Sequence, residues 1–159
     1  LENKRWLKKG ITKSENLINS KSKLILSSFN EFTNFKIRKT VLDITNQNKH
    51  VENRKFKNNI NYFKQLRNYK FVLCPPGNGP DTHRIWESLL FKTFPIVELN
   101  SFTKNLQNIG IPAIYLDNWK DLNDYSENNL NQSYENLKTF NLNMLYLEYW
   151  KKQFRSKIL

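Results

Sequence analysis

The residues whose types and spacing could do chemistry crowd into positions 77–87. Gly77 and Gly79 flank Asn78 in a loop with backbone freedom and little side-chain bulk, so a ligand can come close to the main chain. Asp81 and Thr82 are alternative N-caps for the helix that follows, where Ile85, Trp86, Leu89 and Leu90 recur at helical spacing. Such a helix aims unpaired N–H groups and a partial positive charge back at the glycine loop, which favours an anion such as a diphosphate. Arg84 adds a full charge in the first turn, and Glu87 stands three residues later on the same side. His83 could donate to a phosphate or stabilise developing charge, whereas Asp81 reads as a cap rather than an acid. One histidine is no metal site, His50 is too remote to assign as its partner, and no metal-ligand cluster stands out.

These residues need elements to hold them. Phe71, Val72, Leu73 and Cys74 form an apolar run of strand length, closed by Pro75 and Pro76. Leu24, Ile25 and Leu26 make an earlier strand, and a helix follows through Val41, Leu42 and Ile44. The turn between them lies at the carboxyl end of its strand, where ligands bind in open α/β sheets, so Thr33, Asn34 and Arg38 are second-rank site candidates. Their blander reading is an N-cap and a surface arginine. Residues 46–59 read as a polar connection, and Ile60, Phe63 and Leu66 as a short helix. Strands are expected near 24–28, 71–74, 95–98 and 113–116, all parallel, in a Rossmann-like α/β sheet with helices on both faces. Two helical stretches around 130–137 and 142–154 close the chain, and the spacing of Tyr146, Tyr149, Trp150 and Phe154 marks a packing stripe. The expected division is a basic connector over 1–22, a donor-binding core over 23–117 and packing helices over 118–159.

The run KFVLCPPGNGPDTHRIWESLLFKTFPIV resembles the signature of exostosin-like glycosyltransferases, whose usual form is close to KFvlcPrGnGxDTHRxWEaLxxGxxPIV. The resemblance is dense over roughly thirty residues, thins over the rest of the chain from Lys23, and extends to the early strand with its TN…R element. It implies the C-terminal, nucleotide-sugar-binding half of a GT-B glycosyltransferase, working without a metal or other cofactor. By that resemblance Glu87 accepts the ribose hydroxyls of the donor; a carboxylate suits a vicinal diol because two oxygens can take two O–H groups. Arg84 would clamp the diphosphate and neutralise charge as the nucleotide leaves, with Gly77, Asn78, Gly79, Asp81, Thr82 and His83 around the same phosphates. The acceptor would be a glycan or other hydroxyl compound. The general base would come from an N-terminal acceptor domain or partner chain, which 159 residues are too few to include. Two positions depart from the pattern. Pro76 replaces a common basic residue, implying one phosphate contact fewer, and Lys92 replaces a glycine that ends the helix, where a left-handed lysine costs roughly 1 kcal/mol.

Composition narrows the alternatives. A 159-residue chain is one domain with a real core, and 14% aromatics argue for packing despite 38% apolar residues. The mean hydropathy is −0.72. The net charge of +12 predicts attraction to polyanions, or simply a solvated basic surface. General nucleic-acid binding rests on that charge alone, without a helix-turn-helix, OB or zinc signature, and is not expected. A non-catalytic nucleotide-sugar-binding module is the other alternative. Two of the four glycines fall in the central loop, which suggests a demand there for positive φ or close approach. The single cysteine excludes an internal disulfide, so nothing requires an oxidising compartment, and Cys74 reads as a small buried hydrophobe. No apolar run reaches membrane-span length and no signal peptide opens at Leu1, which tilts the expectation to the cytoplasm.

Overall fold

The computed structural model describes residues 21–158, so the connector expected over 1–22 lies outside the described residues apart from its last two positions. Among the described residues five strands form one sheet: β1 (Lys23–Ser27), β2 (Val51–Asn53), β3 (Tyr69–Leu73), β4 (Phe94–Glu98) and β5 (Ile114–Leu116). Between them run α1 (Phe35–Thr45), α2 (Asn59–Leu66), α3 (His83–Leu90) and α4 (Ser101–Asn108). Then come α5 (Glu127–Lys138) and α6 (Leu147–Ile158), and short 3-10 turns occupy Glu31–Asn34, Trp119–Asp124 and Leu142–Leu145.

The strand order is β2-β1-β3-β4-β5 and every pairing is parallel. This is the Rossmann-like α/β sheet expected from the strand–helix alternation. The chain steps one way from β1 to β2 and the other way for every later crossover. Right-handed connections therefore put α1 on one face and α2, α3 and α4 on the other. The reversal falls between β1 and β3, and in open α/β sheets ligands bind in the crevice beyond the carboxyl ends of the strands at such a switch point.

Strand β2 corrects the reading of residues 46–59 as a plain connection. Val51 pairs with Ile25, yet Glu52 and Asn53 are exposed. A polar edge strand of three residues carries no apolar signal. The inner strands β1, β3 and β4 have five residues each and the edge strands β2 and β5 three. Phe71 and Phe94 are register partners, and Tyr134 of α5 packs edge-on against both, which seats that helix on the sheet. Phe63 of α2 stacks on Phe91, at 5.3 Å between ring centroids, and locks α2 beside α3. From the aromatic stripe near the chain's end, Tyr149 and Trp150 pack against the core while Tyr146 is exposed. The side chain of Phe154 lies outside the described residues.

Two details set the ends of β3 and α3. Below Tyr69, the buried ammonium of Lys21 donates to Arg67 O (2.9 Å), Tyr69 O (2.8 Å) and Thr93 Oγ1 (2.7 Å). At the end of α3, Lys92 adopts φ 53°, with its N–H on Leu89 O and that of Thr93 on Ser88 O. That is a Schellman closure with lysine in the seat that favours glycine. Among the described residues no helix is long and apolar enough to cross a membrane.

Candidate functional site

The loop after β3 leaves the sheet at the switch point, and the segment after β1 rises beside it. Their residues meet. Asn34 donates its side-chain N–H to Gly77 O (2.9 Å), and Arg38 Nε donates to Pro76 O (2.9 Å). Arg38 Nη1 donates to Asn30 O (2.8 Å), its Nη2 reaches Pro75 O at 3.5 Å, and the guanidinium lies over the Phe29 ring. Arg38 is therefore no surface arginine. It is 5% exposed and ties the two loops together through their carbonyls. Three of its five N–H donors are engaged by protein carbonyls, which commits the guanidinium to holding the loops.

The same contacts explain Gly77. A Cβ there would stand 3.2 Å from Arg38 Nη2, with the Thr33 methyl at 3.8 Å. The need is close approach, not positive φ: Gly110 is the described glycine with φ above zero, and a Cβ on Gly79 would meet nothing within 4 Å. The loop is tightened by its own hydrogen bond from Gly77 N–H to Gly79 O (3.1 Å), so Gly77 N–H is already engaged. Asn78 is exposed.

Helix α3 begins at the N-cap Thr82, which is buried and makes no side-chain capping bond. Asp81 is not the cap; its carboxylate instead accepts the Trp86 indole N–H at 3.0 Å. On the other side of the switch point, Asn34 holds the N-cap position of α1 without capping it, because its amide is turned to Gly77. By contrast, α2, α4 and α5 are each capped by a side chain, from Asn58, Asn100 and Ser126. The two helices that flank the crevice thus leave their first-turn N–H groups without capping side chains.

Arg84 sits in the first turn of α3, half-buried, with its guanidinium over the Tyr62 ring at 5.5 Å from the centroid. Among the described residues neither its buried Nε nor the Tyr62 hydroxyl makes a well-aligned hydrogen bond, although the hydroxyl lies close enough to the Arg84 guanidinium to feel it as a donor. Among the described residues neither Arg84 nor Arg38 forms an ion pair. Burial, and then the charge of Arg84, hold the Arg38 pKa below its ordinary value, so the two guanidiniums feel each other across the loop. Glu87 is half-buried and makes neither a hydrogen bond nor an ion pair with Arg84. Burial raises its carboxyl above the usual carboxylate range, while His83 and Arg84 pull it back. His83 is exposed at the first helical position. Cys74, at the root of the loop, is a buried thiol pushed up to about 12 by burial, which makes it inert as a nucleophile.

Chemically, the crevice offers positive charge, two helix starts without capping side chains and one desolvated carboxylate, a set that fits an anion attached to a hydroxylated group. Among the described residues no three His, Cys, Asp or Glu side chains gather as a metal would require. A broad concavity of about 550 Å³ lies elsewhere, between residues 44–50 and 123–127. There Ser126 caps α5 and Asn48 bridges to Asn123. The uncapped helix starts, the half-buried Arg84 and Glu87 and the joined loops favour the switch-point crevice as the site.

Sequence reasoning found both loops but missed Asn30, whose carbonyl anchors Arg38, and Tyr62, which carries Arg84. Neither had a signal: a tyrosine on the inner face of an amphipathic helix reads as packing. No curated protein matches the chain significantly. Residues 15–159 match the RXYLT1 C-terminal domain family, and the chain belongs to that family of glycosyltransferase-related domains.

Proposed function

We propose that this chain is the donor-binding half of a glycosyltransferase, one that moves a sugar from a nucleotide-sugar donor to an acceptor hydroxyl without a metal. The observation that carries the reading is Arg84: a cation in the first turn of an uncapped helix at the switch point, with Nε unpartnered. In this reading the donor diphosphate lies over the N-terminus of α3 between the glycine loop and Arg84. Gly79, Asn78, Thr82 and His83 line its path, while Thr33, Asn34 and Arg38 hold the loop in shape. Glu87 takes the ribose diol, for which a desolvated carboxylate without competing partners is suited.

In the reaction, the acceptor oxygen bonds to the anomeric carbon while the bond from that carbon to the diphosphate oxygen breaks. The leaving diphosphate gains negative charge, which Arg84 neutralises. The acceptor proton passes to a base on an acceptor domain or partner chain. The family carries the name of a ribitol xylosyltransferase's C-terminal domain, so a xylosyl nucleotide is the first donor to try. The exostosin-like motif points to the same chemistry.

The test is calorimetric titration with a nucleoside diphosphate and its dideoxy analogue, against wild type and Glu87→Gln. The reading expects binding of the diol form, weakened by Glu87→Gln, and little change for the analogue. Equal losses for both ligands would assign Glu87 a structural role, and absence of any nucleotide binding would sink the donor-site reading. Release of nucleoside diphosphate from the sugar nucleotide should need an added acceptor domain.

A further inference from the structure

The loop from β3 to α3 is gripped at both shoulders, and the two grips differ in kind. On the α1 side, Asn34 and Arg38 donate to the carbonyls of Gly77 and Pro76. On the α3 side, the Asp81 carboxylate accepts the indole N–H of Trp86 at 3.0 Å. Counted from the N-cap Thr82, His83 is the first helical residue and Trp86 the fourth, while Asp81 stands just before the cap. Helices often place a pair of apolar side chains at these two positions, and their contact fixes the angle at which the chain enters. Here a carboxylate and an indole fill them, so the contact is directional as well as close. Trp86 is a firm anchor for it, half-buried and packed against the core. The bond has a second property. At α4 the N-cap Asn100 accepts the N–H groups of Phe102 and Thr103, and at α5 Ser126 accepts that of Asn129, so those helices fix their starts by spending first-turn donors. At α3 Thr82 is buried and caps nothing, and the Asp81–Trp86 bond spends no main-chain donor.

We propose that Asp81 is a positioning residue for the crevice: its bond to Trp86 sets the direction in which the chain enters α3, and so aims the first turn, with its N–H groups and Arg84, at the diphosphate. The inference rests on the donor-site reading above and adds to it the contact that aligns the helix start. It also gives a reason for an acid just before the cap of a helix that should attract an anion. A carboxylate there opposes a diphosphate by its charge, and its benefit is geometric. The two contributions have opposite signs, so substitutions can separate them. Asparagine keeps an oxygen that accepts the indole N–H and drops the charge, whereas alanine drops both. Trp86→Phe keeps an aromatic ring against the core and removes the donor.

The experiment titrates inorganic pyrophosphate into wild type, Asp81→Asn, Asp81→Ala, Trp86→Phe and the variant that combines Asp81→Ala with Trp86→Phe. Each affinity is corrected for the folded fraction read from that variant's urea unfolding curve. Asp81→Ala should weaken pyrophosphate about fivefold although it removes a negative charge. Trp86→Phe should weaken it by a similar factor, and the double variant no more than either alone, since the same bond is lost each time. Asp81→Asn should bind at least as tightly as wild type. In proton–nitrogen spectra, one indole N–H should exchange slowly in wild type and Asp81→Asn, faster in Asp81→Ala, and be absent in Trp86→Phe. An Asp81→Ala affinity equal to or above that of wild type would overturn the inference and leave the donor site standing, because the acid would then act by charge alone. Losses that multiply in the double variant would overturn it too, and so would a loss in Asp81→Asn as large as in Asp81→Ala. Failure of the wild type to bind pyrophosphate or a nucleoside diphosphate at all would remove the donor-site reading, and this inference with it.

Discussion

Two cations mark opposite ends of β3, and the protein treats them differently. At the Tyr69 end, Lys21 is buried and its three protons meet three oxygens, from Arg67, Tyr69 and Thr93. Beyond the Leu73 end, Arg84 rests on an aromatic ring with its Nε unmet, in the first turn of a helix without a capping side chain. A structural cation is saturated by its own chain, whereas one kept for a ligand retains unused donors. Arg38 sharpens the contrast. It stands at the same crevice as Arg84 and shares its field, yet its hydrogen bonds belong to the Lys21 kind. Charge near the crevice therefore does not by itself separate the two arginines; the hydrogen bonds that each already makes to its own chain do.

The contrast can be broken by substitution. The largest effect is expected for Arg38→Ala, which strips hydrogen bonds from carbonyls of both loops. It should lower stability by about 3–4 kcal/mol in urea denaturation and abolish nucleotide binding as the loops part. Lys21→Met removes a saturated cation at the far end, and should cost about 2–3 kcal/mol of stability without altering nucleotide affinity.

Lys21 also carries a pH signature. Burial, aided by the charge of Arg67, brings its pKa down to about 7 from 10.5. Between those values the unfolded chain holds a proton that the folded chain has released, so stability should rise as pH climbs from about 7 towards 10. The slope should be no steeper than about 1.4 kcal/mol per pH unit, and Lys21→Met should flatten it. A wild-type stability that is level over this range would show that the three acceptors keep the ammonium charged.

Arg84→Ala is the converse of Arg38→Ala. Nucleoside diphosphate binding should weaken by about 2 kcal/mol whatever the base or sugar, with the unfolding midpoint nearly unmoved. If Arg84→Ala destabilised the fold as much as Arg38→Ala, the distinction drawn here would collapse. The smallest effect belongs to Lys92→Gly, which relieves the left-handed lysine after α3 and should add about 1 kcal/mol of stability with binding unchanged.

How much of this was legible in the sequence follows from where each signal resides. The strand, loop and helix around 71–90 could be read because an apolar run closed by two prolines, then glycines, then helical spacing are all local features. The left-handed lysine could be read too, since a glycine seat held by Lys92 is a single-position fact. Strand β2 could not, because Val51, Glu52 and Asn53 look like loop and pair only because β1 lies alongside. Arg38 misled for a related reason. Its neighbours Ile37 and Lys39 are exposed, and nothing local says that the next turn of the chain will offer it carbonyls from Pro75 and Pro76. Lys21 was lost in a basic stretch whose other members give no hint that one of them is buried. Tyr62 shows the same limit: its ring was legible as packing, but the Arg84 guanidinium that lies over it is there only in three dimensions.

The three-residue outer strands have a consequence for how this domain associates. An exposed strand edge is a template on which another chain can add by main-chain pairing, and its risk grows with length and apolar character. Here β2 and β5, three residues each, offer few free main-chain groups. Sheet extension is thus a poor route to fibres or to a continuous sheet shared with a neighbouring domain. A partner that met this domain through its helices and loops would leave every rung of the parallel ladder in place, and its own position would be set by side chains alone.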